Sequence, residues 1–359
     1  MRILAIETSC DETSFAVVSI NETNGLAITI EENLVASQVK LHASFVGVVP
    51  ALAKREHIKN LPILWEKIKK LKTVQEKKID LLAVTVGPGL EPALWTGIQF
   101  AQEIHKNYFN ESIPLVGVNH LEGHLFSFLL PEKTEFPISN FQFPIISLVV
   151  SGGHTIVGVL KSLTEYKKLG ETLDDAVGES FDKVARLLDL PYPGGALIEQ
   201  LAQEGDPHAI ELPHPMIHQK NYNFSYAGLK TAVLYYLRSQ GIVSENFSPR
   251  AVAKKAKIPE QLQKDLSASF QDAAFAPVVA KVSRAVSEYN AQAVCIGGGV
   301  AANKKLPELL TEKLGNVPVI VPPFAYCQDN AAMIALAGYM RYISGKKSYP
   351  LKADGTMSV

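Results

Sequence analysis

The chain has 359 residues, is 47% hydrophobic and carries a formal net charge of −1. That much apolar content supplies full cores and excludes a disordered chain, while near-neutrality excludes a global basic field for nucleic acid, so any RNA contact must use local patches. Three cysteines with no C-x-x-C pair, a start that turns acidic after six residues and no apolar run of membrane-spanning length predict a cytoplasmic protein without a membrane partner.

In chain order, residues 2–7 read as a buried strand, 8–14 as a polar turn and 15–18 as a second strand. Asp11 and Glu12 fall at the tip of this hairpin, either as turn residues or as catalytic acids that position a metal or a water. His42, Arg55 and His57 flank Phe45–Pro50 and are candidates for a polar rim. Residues 79–86 form a strand that runs into Gly87-Pro88-Gly89-Leu90 and then a helix. Bare N–H groups in such a turn, with the positive end of a helix beside them, make an anion site.

His120 and His124 stand four residues apart in Val118-Asn119-His120-Leu121-Glu122-Gly123-His124. At that spacing two imidazoles share one face of a helix and can hold one metal ion. Glu122 lies about 200° around the helix from His120. A zinc peptidase places its glutamate directly after the first histidine, and Leu121 stands there, so that reading is excluded.

Three prolines in residues 131–144 mark a boundary. It divides the chain into 1–134, completed by a C-terminal helix at about 330–348, and 135–329. The second part repeats the first, with strands at 144–150 and 156–160 around Ser151-Gly152-Gly153-His154-Thr155. A helix over 173–188 would put Asp175, Glu179 and Asp182 on one face. They form either a solvated face paired with Lys183 and Arg186 or, at Asp182, an acceptor for a substrate hydroxyl or amine beside the free N–H groups of a rigid turn, Pro191–Gly195. A strand at 293–296 runs into Gly297–Val300 and a helix over 301–304, where Asn303 is a helix cap or a ribose or base contact. Asp329 opens the last helix, to about Ser344, as its N-cap or as the carboxylate of a two-His, one-carboxylate site, a set that favours iron(II) or zinc over magnesium. Basic stretches at 67–78 and 250–257 are solvated helix faces or phosphate contacts. Matched halves with hairpins and glycine turns predict an α/β, duplicated actin-like/sugar kinase/Hsp70 (ASKHA) fold with its active site between two domains.

Several motifs occur in order: Ile6-Glu7-Thr8-Ser9-Cys10-Asp11-Glu12-Thr13, Gly47-Val48-Val49-Pro50, Gly87–Leu90, His120–His124, Val150–Thr155, Gly178-Glu179-Ser180-Phe181-Asp182-Lys183, Pro193-Gly194-Gly195, Phe224–Lys230 and Asp329-Asn330-Ala331-Ala332-Met333. Together they resemble the TsaD family over nearly the whole chain. The resemblance implies a transferase that moves a threonylcarbamoyl group from threonylcarbamoyl-AMP to N6 of adenosine 37 in tRNAs reading ANN codons. It further implies that His120, His124 and Asp329 bind one divalent metal ion, iron(II) or zinc, and that Val149, Val150, Ser151, Gly152, Gly153, Asp182, Gly195 and Asn303 hold the adenylate. Bacterial members work with a shorter TsaB-type paralogue and a TsaE-type P-loop ATPase, and Ser37–His42 looks closer to that branch. The chain departs from the family pattern at Val46, Ala51, Glu91 and Pro92, and its 244–262 segment looks longer and more basic. A small-molecule kinase of the same fold and a non-catalytic nucleotide-binding scaffold are the competing readings.

Overall fold

A computed structural model describes residues 1–22, 26–45, 47–131, 142–244 and 257–359. The residue departing at Val46, most of the 131–144 boundary and all but Lys257 of the 250–257 stretch lie outside them. The chain divides into two compact units, one of residues 1–143, 161–165 and 320–359, the other of residues 144–160 and 166–319.

The first unit is built on a sheet of β1 (Arg2–Glu7), β2 (Glu12–Asn21), β3 (Ala27–Ser37), β4 (Leu81–Gly87) and β5 (Leu115–Asn119), in the order β3-β2-β1-β4-β5. β1 pairs antiparallel with β2 and parallel with β4. Strands buried on both faces read as continuous apolar runs, and Leu81–Gly87 is buried throughout. Leu82, Val84 and Val86 pack into one cluster with Leu61, Trp65 and Leu94 from the helices Pro50–Ile68 and Glu91–Asn107. Ala83 faces the other way, toward Gly338 of the helix Ala331–Ile343. Ala51 lies exposed in the first turn of Pro50–Ile68. Glu91 and Pro92 open Glu91–Asn107, where a proline loses no helical hydrogen bond and an acid suits the helix dipole.

The second unit repeats the plan with β6 (Ile145–Val150), β7 (Thr155–Leu160), β8 (Tyr166–Glu171), β9 (Ala293–Gly297) and the short β10 (Val319–Ile320), in the order β10-β9-β6-β7-β8. β6 pairs antiparallel with β7 and parallel with β9, as β1 does with β2 and β4.

Four local expectations are corrected. β2 begins at Glu12, so Glu12 is a strand residue and not part of the hairpin tip. The acidic helix spans Val177–Leu187, which leaves Asp175 in the loop before it. After β9 comes a single 3-10 turn, Gly299–Ala302, and the α-helix starts at Lys305. The last helix starts at Ala331 and is capped by Asn330, whose side chain accepts from the Met333 N–H at 3.1 Å, so Asp329 is not its cap.

Candidate metal centre and glycine turns

β5 leads directly into the helix His120–Phe126. Asn119 caps that helix by accepting from the Leu121 N–H at 2.8 Å, while its Nδ2 donates to the Ser358 carbonyl at 3.0 Å. Gly123 lets the helix approach Ala331–Ile343 closely, since a Cβ there would stand 3.0 Å from Met333 Cγ. The approach places Asp329 against both histidines.

Asp329 Oδ1 is 3.4 Å from His120 Nε2 and 3.1 Å from His124 Nε2, and one ligand atom from each residue lies within 4.8 Å of the others. Ligands about 2.1 Å from one tetrahedral ion stand roughly 3.4 Å apart. His124 is 1% exposed, yet neither ring nitrogen has an aligned hydrogen-bond partner among the described residues. A buried imidazole with no well-aligned bond is costly, and an ion between the three groups would satisfy it. The residues therefore fit a divalent metal. Glu122 is turned away, bound to Arg341 at 2.6 Å and to Tyr349 Oη at 3.1 Å.

One residue of the site was not read from the sequence. Glu7, fully buried, accepts from the Ser9 N–H, from Thr85 Oγ1 at 2.6 Å and from His120 Nδ1 at 3.1 Å. A carboxylate closing an apolar strand was the available signal, because a charge is buried only with partners. The electrostatics follow from this crowding. Burial alone would depress His120, but Asp329 and Glu7 hold its imidazole well above the usual histidine range. Asp329 is held far below the carboxylate range by the two histidines, against the effect of burial. Burial keeps His124 low.

Asp11 and Glu12 are both buried in the same unit. Glu12 accepts from Ser37 Oγ at 2.9 Å. Burial, then the charges of Asp11 and Asp329, push its carboxyl up to about 9. His42 and His57 form no rim, and both are fully buried. His57 bridges Thr13 Oγ1 at 2.8 Å and the Cys10 carbonyl at 3.0 Å, and His42 bonds Gln38 at 3.1 Å.

The expected anion site at Gly87–Leu90 is filled by the chain itself. The Leu90 N–H donates to the Ser9 carbonyl at 2.7 Å and the Gly89 N–H to the Gly355 carbonyl at 3.4 Å. A Cβ on Gly87 would stand 2.1 Å from the Asp354 carbonyl oxygen.

The residues matched to an adenylate site lie in the second unit. Val149 and Val150 end β6, and Ser151 closes a turn by donating its N–H to the His154 carbonyl at 2.8 Å. Gly298 (φ +93°) lets the turn after β9 touch this one, since a Cβ there would stand 2.4 Å from the Val150 carbonyl oxygen. Space around Gly152, Gly153, Gly195 and Gly299 is open to 4 Å. Two glycine turns thus meet at the carboxyl ends of parallel strands β6 and β9, where ligands of open α/β sheets bind. The half-buried Asp182 already uses Oδ1, which accepts from the Gly194 N–H at 2.8 Å. Burial raises its carboxyl above the usual range, against the pull of the Gly194 and Gly195 N–H groups. The Pro191–Gly195 turn therefore has those two N–H groups already engaged. Asn303 is occupied at both ends, accepting from the Lys305 N–H at 2.8 Å and donating to Gln271 at 2.9 Å. Asp175 binds Lys183 at 2.6 Å and Lys230 at 3.1 Å, and is a structural ion pair.

Residues 29–336 match the family described as "TsaD: tRNA N6-adenosine threonylcarbamoyltransferase". A protein of Thermosipho africanus (strain TCF52B) with the name tRNA N6-adenosine threonylcarbamoyltransferase is 42% identical over 97% of this chain and 96% of its own. One of the same name from Bacillus cereus (strain ATCC 10987 / NRS 248) is 43% identical over 96% and 93%. Among solved structures, full-length HypF in its phosphate- and nucleotide-bound form superposes on 95% of this chain and 46% of that one, with a TM-score of 0.58 at 14% identity. The HypF of T. kodakarensis gives 0.54 at 13% identity, covering 96% and 48%. These two likenesses bear on the fold alone.

Proposed function

Since the chain belongs to the TsaD family of tRNA N6-adenosine threonylcarbamoyltransferases, we propose that it transfers the threonylcarbamoyl group of threonylcarbamoyl-AMP to N6 of adenosine 37 in tRNAs reading ANN codons, forming N6-threonylcarbamoyladenosine. The observation that carries this reading is the convergence of His120, His124 and Asp329 within 4.8 Å in a chain collinear with its relatives. A kinase of the same fold gives that trio no role.

The donor is a mixed anhydride with AMP as leaving group, and the exocyclic amine of adenine is a weak nucleophile because its lone pair is delocalised. Rate must come from positioning and from charge stabilisation. His120, His124 and Asp329 would hold one divalent ion, iron(II) by its donor set or zinc. Bound there, the ion supplies positive charge for carbonyl or phosphate oxygens. Gly152, Gly153 and Gly299 leave backbone N–H groups approachable from outside, and Val149 to Ser151 support them. Asp182 fixes the Gly194–Gly195 turn, and Asn303 fixes the start of the helix Lys305–Leu314, so both act by shaping the adenylate site. Of the candidate catalytic acids Asp11 and Glu12, Asp11 is the proton acceptor for the amine, since the Glu12 carboxyl is pushed up to about 9 and holds its own proton at neutral pH.

A near-neutral chain gripping an anticodon loop needs added basic surface, which fits work in the cytoplasm with a TsaB-type paralogue and a TsaE-type P-loop ATPase. Asp329→Ala tests the reading. It should lose bound metal and tRNA modification together, with a circular dichroism spectrum like the parent's. Wild-type modification by the metal-depleted variant would refute it.

A further inference from the structure

His120 and His124 differ in one respect that neither their spacing nor their family explains. Neither nitrogen of His124 has an aligned partner among the described residues. The Nδ1 of His120 meets two oxygens, Glu7 Oε2 at 3.1 Å and Ser9 Oγ at 3.2 Å. We propose that Glu7 is the positioning residue of the metal centre, fixing the His120 tautomer so that Nε2 faces Asp329 with a free lone pair. The proposal rests on the metal reading above.

Glu7 is fully buried at the end of β1. Thr85 belongs to β4, which pairs with β1 through Ile6 and Val84, and its hydroxyl donates to the same Oε2 at 2.6 Å. The Ser9 N–H holds the other oxygen, Oε1. An ionised carboxylate only accepts, so the neutral, metal-binding form of His120 presents Nδ1 to Glu7 as an N–H. Imidazole then has Nε2 left as its only lone pair, and Nε2 is the atom 3.4 Å from Asp329 Oδ1. Outer-shell carboxylates of this kind orient a ligating imidazole and raise its basicity.

The charges agree in sign. Two neutral imidazoles with the Asp329 carboxylate leave positive charge on a dication, and the buried Glu7 carboxylate behind His120 lies where it offsets that charge.

Zinc is the probe, read with the purified full-length chain by competition against a chelating dye and by ring 15N spectra of the zinc-loaded protein. Wild type should bind zinc, and Asp329→Ala should not. Glu7→Gln removes the charge at nearly constant volume. It should weaken zinc by about 10- to 100-fold and shift the His120 ring resonances, leaving those of His124 nearly in place. A purely structural role would lower the melting point of the metal-free protein and leave zinc affinity and ring shifts unchanged. Should Glu7→Gln fail to fold, Thr85→Val removes one support of the carboxylate and should weaken zinc in the same direction, by less. Wild-type zinc affinity in both variants overturns the role of Glu7 while leaving the metal site intact. Equal zinc binding by wild type and Asp329→Ala overturns the metal reading, and this inference with it.

Discussion

At the scale of single residues, the proposed metal centre gathers charge at the edge of an apolar core. Glu7, His120 and His124 are buried and Asp329 half-buried beside them, and each offsets the cost of the others. His120→Ala should abolish metal binding and reduce modification by about 100-fold or more, measured by elemental analysis and single-turnover kinetics. Glu12 makes a different prediction. Its carboxyl sits near 9 when folded against an ordinary 4.5, so the folded metal-free protein binds this proton more tightly than the unfolded chain. Stability contributed by the protonated form is full below about 4.5 and is lost as pH rises toward 9. Glu12→Gln should therefore stabilise the metal-free protein at pH 7.5, by on the order of 1–3 kcal/mol, and have little effect at pH 4.5. Urea denaturation at the two pH values checks this. The histidine pair was legible in the sequence because i, i+4 spacing is a local pattern, whereas its meeting with Asp329, far along the chain, was implied only by the family resemblance. Glu7 was not, since its partner Thr85 is 78 residues away and only the pairing of β1 with β4 brings them together.

At the scale of elements, close helix packing sets the metal geometry. Gly123 faces Met333 and Ile334 across the contact between His120–Phe126 and Ala331–Ile343. Gly123→Val would overpack that contact and should cost about 1–3 kcal/mol. It should weaken metal binding as well, because Asp329 precedes one helix and both histidines ride on the other. Chemical denaturation with and without zinc separates the two effects. Strands were legible because burial on both faces writes apolar runs into β1, β4, β6 and β9. Helix limits were less so. The acidic pattern from Asp175 to Asp182 has helical spacing, but Asp175 bonds Lys183 and Lys230 from the preceding loop, and tertiary pairing reproduces the periodicity. The 301–304 segment read as a helix after the glycine turn, yet Asn303 turns its side chain onto the Lys305 N–H and the helix starts there.

At the scale of the whole molecule, the C-terminal residues pack beside the two-histidine helix of the first unit. The Asp354 N–H donates to the Val86 carbonyl at 2.9 Å, Gly355 meets Gly89, and the Ser358 carbonyl receives Asn119, the cap of the two-histidine helix. Removing residues 351–359 should lower the melting temperature and weaken zinc binding, measured by calorimetry and dye competition, although none of these residues is a ligand. No local pattern in the sequence reveals this packing, which is why Gly87–Leu90 read as an open anion site. The duplication, in contrast, was legible, because each half carries its own hairpin and glycine turn. The central claim is that the chain modifies adenosine through a metal held by His120, His124 and Asp329. Nucleoside mass spectrometry tests it most directly, on unmodified ANN-reading tRNA incubated with threonylcarbamoyl-AMP, the chain and TsaB- and TsaE-type partners, with and without a chelator. N6-threonylcarbamoyladenosine should form, disappear with chelator and return when metal is restored. Undiminished product from the metal-stripped enzyme, or none from the loaded enzyme with its partners, would contradict it.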